Sequence, residues 1–168
     1  MDLADLAHQA DVAEQDFIAE GKDSGELAKY IAGGSRNMDD SGFFSVQVLS
    51  MALMVFGLTI VPIGSTEVKD AKENPARERG FILNLRNHWF TIRKFGPLWF
   101  NLNSTQPHPE VVSPIYLGML LKQLQIDGYS VFVIKGDLPQ TQADGLAITL
   151  AGRCNLVLFF FFSLFSND

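Results

Sequence analysis

The longest apolar stretch in the first half of the chain predicts a helix from about Phe43 to Phe56. Only serine and glutamine residues interrupt it, so it is apolar on nearly every side, as helices buried in the middle of a domain usually are. Asp39-Asp40-Ser41-Gly42 precedes it with residues that favour a helix N-terminus, and Gly57 is a good terminating residue. The pattern predicts a central, buried helix.

Five later segments rich in β-branched and aromatic residues predict strands. They are residues 58–63, 81–85, 88–94, 98–103 and 129–135. Phe95-Gly96-Pro97 separates the third segment from the fourth and predicts the turn of a β-hairpin. The polar and charged residues 66–79 predict a solvated surface excursion.

Further helices are expected on both sides of the strands. Residues 1–35 predict a loosely packed helical region that is broken at Gly33-Gly34-Ser35. Ser113, Pro114 and Gly128 mark the two ends of a helix whose leucines recur at helical spacing, and residues 137–150 predict a last short helix. Helices followed by several strands around a late helix indicate an α+β fold with a largely antiparallel sheet packed against helices.

The composition is that of a globular chain. Its 168 residues are 47% hydrophobic and 19% charged, enough for one domain, which we expect to span residues 1–150. Residues 151–168 form an apolar tail that contains LVLFFFFSLF. Ten residues are too few for a membrane helix, which needs roughly 20, and this run has the composition of an aggregation-prone segment. Our hypothesis is that the tail is not part of the evolved fold.

Charge and cysteine content narrow the function further. A net charge of −6 argues against a nucleic-acid partner, which requires a basic surface. The N-terminus is acidic and lacks the basic start of a signal peptide. One cysteine, Cys154, excludes an internal disulfide, and the three histidines show no ligand spacing, so we expect neither a metal ion nor a cofactor.

The predicted hairpin contains a candidate catalytic pair, His88 and Asn103. If Phe95-Gly96 is a two-residue loop, Lys94 faces Pro97 and His88 faces Asn103, with Cβ atoms about 5 Å apart. An imidazole held by an asparagine amide is half of a cysteine-protease site. The alternative is an ordinary strand histidine and a turn asparagine, and composition alone favours that alternative.

Three ordered blocks of sequence resemble one family. They are NMDDSGFFSVQVLSMAL, HWFTIRKFGPLWFNLNS and GYSVFVIKGDLP, and together they resemble the Josephin domain of the ataxin-3-type deubiquitinases. The resemblance implies a papain-like fold and hydrolysis of ubiquitin isopeptide bonds by a thiol protease. It also implies that His88 is the general base and Asn103 its orienting partner. Ubiquitin or polyubiquitin would be the partner, in the nucleus and cytoplasm, with no membrane association.

The sequence also departs from this family. There, the nucleophilic cysteine and an oxyanion-hole glutamine lie on a segment ahead of the LAHQ-like helix, and this sequence begins at that helix. We therefore expect a fold without the nucleophile helix, apolar surface exposed on its partner elements, marginal stability, and no hydrolase activity. Cys154 is interpreted as an incidental thiol.

A noncatalytic ubiquitin-binding module is the alternative function, and an inert fragment is a further one. Positions that match Val46, Gln47 and Phe56 contact ubiquitin in the family, where the last is commonly tryptophan. Phe56 keeps an aromatic ring without the indole N–H donor. The competing interpretation is that all three simply belong to the buried helix; for Gln47, exposure is favoured because it is polar on an apolar helix.

Overall fold

The computed structural model describes residues 2–20, 37–38 and 44–152. The chain divides into two compact units, Met1–Thr59 and Ile60–Asp168. The predicted break at residues 33–35, the predicted cap at residues 39–42 and the apolar run of the tail lie outside the described residues.

Among its described residues, the first unit contains two helices. Helix α1 spans Leu3–Glu20 and helix α2 spans Val46–Val55. Leu6, Ala7 and Ala10 of α1 are buried against Val48 of α2. These small and branched side chains recur at helical spacing, which allows one face of α1 to lie against one face of α2.

Helix α2 is shorter and more exposed than its sequence predicts. It starts at Val46 because the Ser45 hydroxyl accepts a hydrogen bond from the Val48 backbone N–H, as an N-cap does. Val48 is its only fully buried residue. The prediction of a buried helix is therefore wrong, and the prediction of exposed apolar surface on it is confirmed. The physical reason is that within its unit the described residues provide one helical neighbour, which covers one face.

A six-stranded sheet forms the centre of the second unit. Its strands are β1 (Thr59–Pro62), β2 (Gly80–Leu85), β3 (His88–Phe95), β4 (Leu98–Leu102), β5 (Glu110–Val112) and β6 (Ser130–Lys135). The order across the sheet is β1-β6-β2-β3-β4-β5. Strand β2 pairs antiparallel with β3 and β6, and β4 pairs antiparallel with β3 and β5. The five predicted strands are present; the three-residue strand β5 was not predicted, because so short a segment carries little periodicity.

Helices flank this sheet. Helix α3 (Lys69–Glu73), between 3-10 turns at Thr66–Val68 and Pro75–Arg77, occupies the segment predicted to be a solvated excursion. That prediction is wrong in part, since Val68 and Ala71 are buried. Helix α4 spans Pro114–Ile126 with the predicted Ser113 cap, and helix α5 covers residues 142–152. Within the described residues, every helix is too short or too polar to cross a bilayer.

The core of the second unit lies on one face of the sheet. Ile92 of β3 and Trp99 of β4 are fully buried there together with Leu117 of α4. Because side chains alternate along a strand, His88 lies on the same face as Ile92, at the beginning of β3. The candidate base therefore lies at one end of a packed face.

Candidate active site

A tight turn places His88 at the first position of β3. Leu85 pairs with His88, so Arg86 and Asn87 form a two-residue connection from β2. Arg86 adopts a left-handed φ of 55°, which costs a non-glycine residue about 1–3 kcal/mol. The Asn84 amide compensates, because its Nδ2 donates to the carbonyl oxygens of Arg86 at 3.0 Å and His88 at 3.3 Å. The Asn84 side chain therefore fixes the backbone both in the turn and at His88.

The β3–β4 hairpin has a different register from the predicted one. Phe95 pairs with Leu98, so the turn is Gly96-Pro97, and Lys94 faces Trp99 rather than Pro97. Gly96 has a φ of 52°, which suits the first position of a type II′ turn, and Pro97 in the turn does not have to supply a ladder N–H. The predicted direct pairing of His88 with Asn103 is therefore wrong.

The contact between the two side chains nevertheless forms. Continuing the observed register places Asn103 opposite Phe90, two residues from His88, so the pair is diagonal on one face of the sheet. The distance from His88 Nε2 to Asn103 Oδ1 is 2.9 Å. An even shift of register preserves the face, which is why the predicted contact is confirmed although the predicted pairing is not.

Aromatic packing fixes the plane of the imidazole. The His88 ring stacks on Phe90 with centroids 5.6 Å apart and planes 26° apart. Phe90 is itself buried and meets the Tyr129 ring edge-on at 5.6 Å. His88 and Asn103 are both half-buried, so the pair rests on the core and remains open on one side.

Hydrogen bonds around Asn103 determine which nitrogen of His88 carries the proton. Asn103 Oδ1 also accepts from the Thr105 backbone N–H at 3.1 Å and from the Thr105 hydroxyl at 2.8 Å. A backbone N–H can only donate, so the atom that faces it must be the amide oxygen. The same oxygen faces His88 Nε2, which must then be the donor. In the neutral ring the lone pair is therefore on Nδ1, which is the nitrogen able to accept a proton.

The tip of the hairpin is fixed to α5. Asp144 Oδ1 accepts from the Gly96 N–H at 3.1 Å, and Asp144 Oδ2 accepts from the Thr141 N–H at 2.8 Å. The Thr141 N–H lowers the pKa of the Asp144 carboxyl most, with smaller contributions from the Gly96 N–H, the Thr141 hydroxyl and the positive charge of Arg93, while desolvation opposes them. One carboxylate thus caps a helix and anchors a turn.

The other predicted binding residues lie on the first unit. Val46 and Gln47 are exposed at the start of α2, and Phe56 is 75% exposed just after its end. A groove of about 520 Å³ includes Phe56 together with Leu3, Leu6 and Val55, while Val46 and Gln47 do not line it. The structure therefore exposes all three residues without gathering them in one groove.

Two further predicted features concern thiols and metals. Cys154 lies outside the described residues. Among the residues that are described, no three histidine, cysteine, aspartate or glutamate side chains gather as a metal site would require.

Sequence reasoning missed Asn84, Thr105 and Asp144. Thr105 had a detectable signal, because an asparagine side chain often accepts a hydrogen bond from the backbone N–H two residues later, which forms an Asx turn. Asp144 three residues after Thr141 matches the spacing of a capping box. Asn84 had no local signal, since its role depends on the conformation of the turn that follows.

Comparison with known proteins identifies the family of this chain. The sequence profile of the Josephin family, described as Josephin, matches residues 1–135. The chain belongs to the Josephin family. Its α+β architecture, with a largely antiparallel sheet, is the fold expected for a papain-like Josephin domain.

Comparison with individual proteins finds relatives named ataxin-3 or ataxin-3 homolog. The chain is 48% identical over 147 residues to ataxin-3 of Homo sapiens, covering 87% of this chain and 41% of the relative. It is 44% identical over 145 residues to an ataxin-3 homolog of Caenorhabditis elegans (86% and 44%) and 38% identical over 134 residues to a putative ataxin-3 homolog of Oryza sativa subsp. japonica (80% and 37%). The chain spans about two fifths of the length of these relatives.

Proposed function

We propose that His88 and Asn103 are the general base and the orienting residue of a thiol isopeptidase that acts on ubiquitin conjugates. The observation that carries this proposal is the 2.9 Å contact from His88 Nε2 to Asn103 Oδ1, with the acceptor identity set by Thr105. Membership of the Josephin family supplies the substrate class.

The chemistry follows from the tautomer. With its proton on Nε2, neutral His88 uses Nδ1 to remove the proton of a thiol, and the thiolate attacks the isopeptide carbonyl carbon. Imidazolium then returns the proton to the lysine amine as the C–N bond breaks, which leaves an acyl-thioester. Water attacks the thioester with His88 again as base, and the thiol and the ubiquitin carboxylate are released. Asn103 stabilises the imidazolium because its Oδ1 accepts a hydrogen bond from the Nε2–H throughout.

The reaction needs a thiol, for which this sequence offers a single candidate. Its one cysteine is Cys154, which follows the base in chain order and which we interpret as incidental. On this proposal the 168-residue polypeptide binds or positions substrate without forming an acyl-enzyme, and the acceleration that remains is too small to give detectable turnover.

A ubiquitin–fluorophore substrate tests both statements. The polypeptide alone should release no fluorophore above background, whereas the same chain extended at Met1 with the cysteine-bearing segment of a Josephin relative should release it. In the extended chain His88→Gln should lower kcat by about 100-fold or more, because a positioned base contributes about 10²–10⁴. His8→Gln, on the exposed surface of α1, is the matched control and should change little.

Two outcomes would contradict the proposal. Capture of the unextended chain by a ubiquitin suicide probe, persisting after Cys154→Ala, would disprove its inactivity. Full turnover by the extended His88→Gln variant would disprove the role of the base.

Noncatalytic ubiquitin binding is the second candidate, supported by the exposure of Val46, Gln47 and Phe56. An aromatic ring that is 75% exposed has most of its apolar surface still to bury, so it can contribute to an interface. Titration of the ¹⁵N-labelled chain with ubiquitin should shift amide signals of residues 46–56 first. Phe56→Ala should weaken these shifts, and Ile115→Ala, which truncates an 87% exposed apolar residue on α4, should not. The absence of shifts at millimolar ubiquitin would leave only the inert-fragment interpretation.

A further inference from the structure

We propose that Thr105 is a positioning residue, which holds the Asn103 carboxamide oxygen against His88 Nε2 through both its backbone N–H and its hydroxyl. Its importance for catalysis rests on the proposed function above. Its effect on the state of His88 does not, and the experiment measures that effect directly.

Asn103 needs local support because of its place in the fold. It follows Leu102, the last residue of β4, so the sheet ladder does not extend to it. The chain turns there, since the Gln106 N–H donates to the Asn103 carbonyl oxygen at 3.0 Å. Thr105 lies inside this turn, and both its N–H, at 3.1 Å, and its hydroxyl, at 2.8 Å, donate to Asn103 Oδ1. The side chain of Asn103 is therefore held by the turn that it begins.

The two donors of Thr105 act differently. The backbone N–H selects the oxygen over the nitrogen of the carboxamide, because an amide nitrogen facing it would bring two donors together. The hydroxyl adds a second bond to the same oxygen and so opposes rotation of the half-exposed carboxamide toward water. Each time the carboxamide rotates away, His88 loses the acceptor that keeps its proton on Nε2, and Nδ1 loses its lone pair in part of the population.

The proposal is testable because the hydroxyl could act in the opposite way, by competing with His88 for the Asn103 oxygen. A carbonyl oxygen has two lone pairs, and here it accepts from three donors. If the hydroxyl mainly competed with His88 for this oxygen, its removal would strengthen the imidazole–amide bond and increase the Nε2–H form. If the hydroxyl holds the carboxamide, its removal has the reverse sign.

The measurement is the tautomer ratio of His88 in the full chain with ¹⁵N-labelled imidazole rings. Spectra are recorded at alkaline pH, and the His88 signals are identified by their loss in His88→Gln. Thr105→Val removes the hydroxyl at nearly constant shape and retains the N–H. Thr105→Ser restores the hydroxyl. Thr149→Val is the matched control, because it removes a threonine hydroxyl bonded to the Gly145 carbonyl, on α5.

We expect Thr105→Val to raise the ratio of the Nδ1–H to the Nε2–H form by about fivefold, the equivalent of one neutral hydrogen bond. Thr105→Ser should restore most of the original ratio, and Thr149→Val should leave it unchanged. A merely structural role for Thr105 would alter folding, monitored by amide dispersion in the same samples, without this serine-rescued change in tautomer.

An unchanged ratio in a folded Thr105→Val chain, or a ratio that moves toward Nε2–H, would overturn the proposal. So would a shift that serine does not rescue. None of these readings requires ubiquitin or turnover, so failure of the proposed hydrolase function and failure of this inference are separate results.

Discussion

The β3–β4 hairpin and helix α2 are both strongly apolar stretches, yet they differ in how much of that surface is covered. Ile92 and Trp99 in the hairpin are fully buried, whereas Val55 and Phe56 at the end of α2 are 69% and 75% exposed. The hairpin receives its cover from α4 and from neighbouring strands of the same unit, while α2 has α1 on one side. Apolar composition therefore indicates a capacity for burial, and the surrounding elements decide whether it is realised.

The largest effect should come from truncating a phenylalanine in each unit, one on the strand beside the hairpin and one at the end of α2. Phe81, on the strand next to the hairpin, is fully buried against Trp99 with ring centroids 5.7 Å apart. Phe81→Ala should lower the free energy of unfolding by about 3–5 kcal/mol, because it leaves a cavity. Phe56→Ala should lower it by less than about 1 kcal/mol. Urea denaturation followed by tryptophan fluorescence measures both, and equal losses would contradict the contrast in burial.

Two glycines with positive φ, Gly57 after α2 and Gly96 in the hairpin turn, differ in the space available to an added Cβ. Gly57 after α2 has a φ of 70° and open space where a Cβ would lie, so Gly57→Ala should cost only the conformational strain, about 1 kcal/mol. Gly96 has a φ of 52°, and a Cβ there would approach Ile148 Cγ1 to 2.9 Å. Gly96→Ala should therefore cost about 2–3 kcal/mol, since strain and overpacking add. A Gly57→Ala loss as large as that of Gly96→Ala, by thermal unfolding, would show that crowding at the hairpin tip is unimportant.

The turn before His88 should respond to changes in Asn84 and Arg86. Asn84→Ala removes the donor that holds two carbonyl oxygens of the turn and should destabilise the chain by about 1 kcal/mol. Arg86→Gly should relieve the left-handed strain and stabilise it by about 0.5–1 kcal/mol. Differential scanning calorimetry of the single and double variants would measure this, and a destabilising Arg86→Gly would contradict the strain.

The smallest effect concerns pH. The pKa of Asp144 lies below its usual 3.8 in the folded chain, so the unfolded state binds the proton more readily. Its stabilising contribution is present above pH 3.8 and is lost as the pH falls through the lower folded value. The melting temperature of the wild-type chain should therefore exceed that of Asp144→Asn near neutral pH, and the gap should narrow in acid. A gap that stays constant down to pH 2 would be inconsistent with this carboxylate anchoring the hairpin tip.

Local chemistry made much of the fold predictable. Helix α4 was predicted correctly at both ends because Ser113, Pro114 and Gly128 act within one turn of the backbone they terminate. The strands were predictable because their side-chain alternation is local. The apolar pattern of α2 wrongly predicted a buried helix, and the burial of Val68 and Ala71 was not predicted, because burial depends on elements distant in sequence.

The candidate site was predictable in part. The contact between His88 and Asn103 was predicted correctly although the two residues are not directly paired, because strand side chains alternate between faces and a register shift of two residues keeps both on one side. The predicted register was wrong because the turn is Gly96-Pro97 rather than Phe95-Gly96: Gly96 takes the positive φ of the first turn position, and Pro97 lies in the turn instead of pairing in the ladder. The proton position on His88 was beyond sequence reasoning, since it depends on an oxygen that Thr105 and His88 share.

The sequence by itself determined the family, the class of fold and the two residues that meet at the site, because these depend on short-range patterns and on ordered blocks of residues. Only the tertiary structure decided which strand residues face each other, which imidazole nitrogen is free, and which apolar surfaces remain uncovered. Those properties depend on distances of about 3 Å between groups far apart in the chain, and no pattern within a single segment contains them.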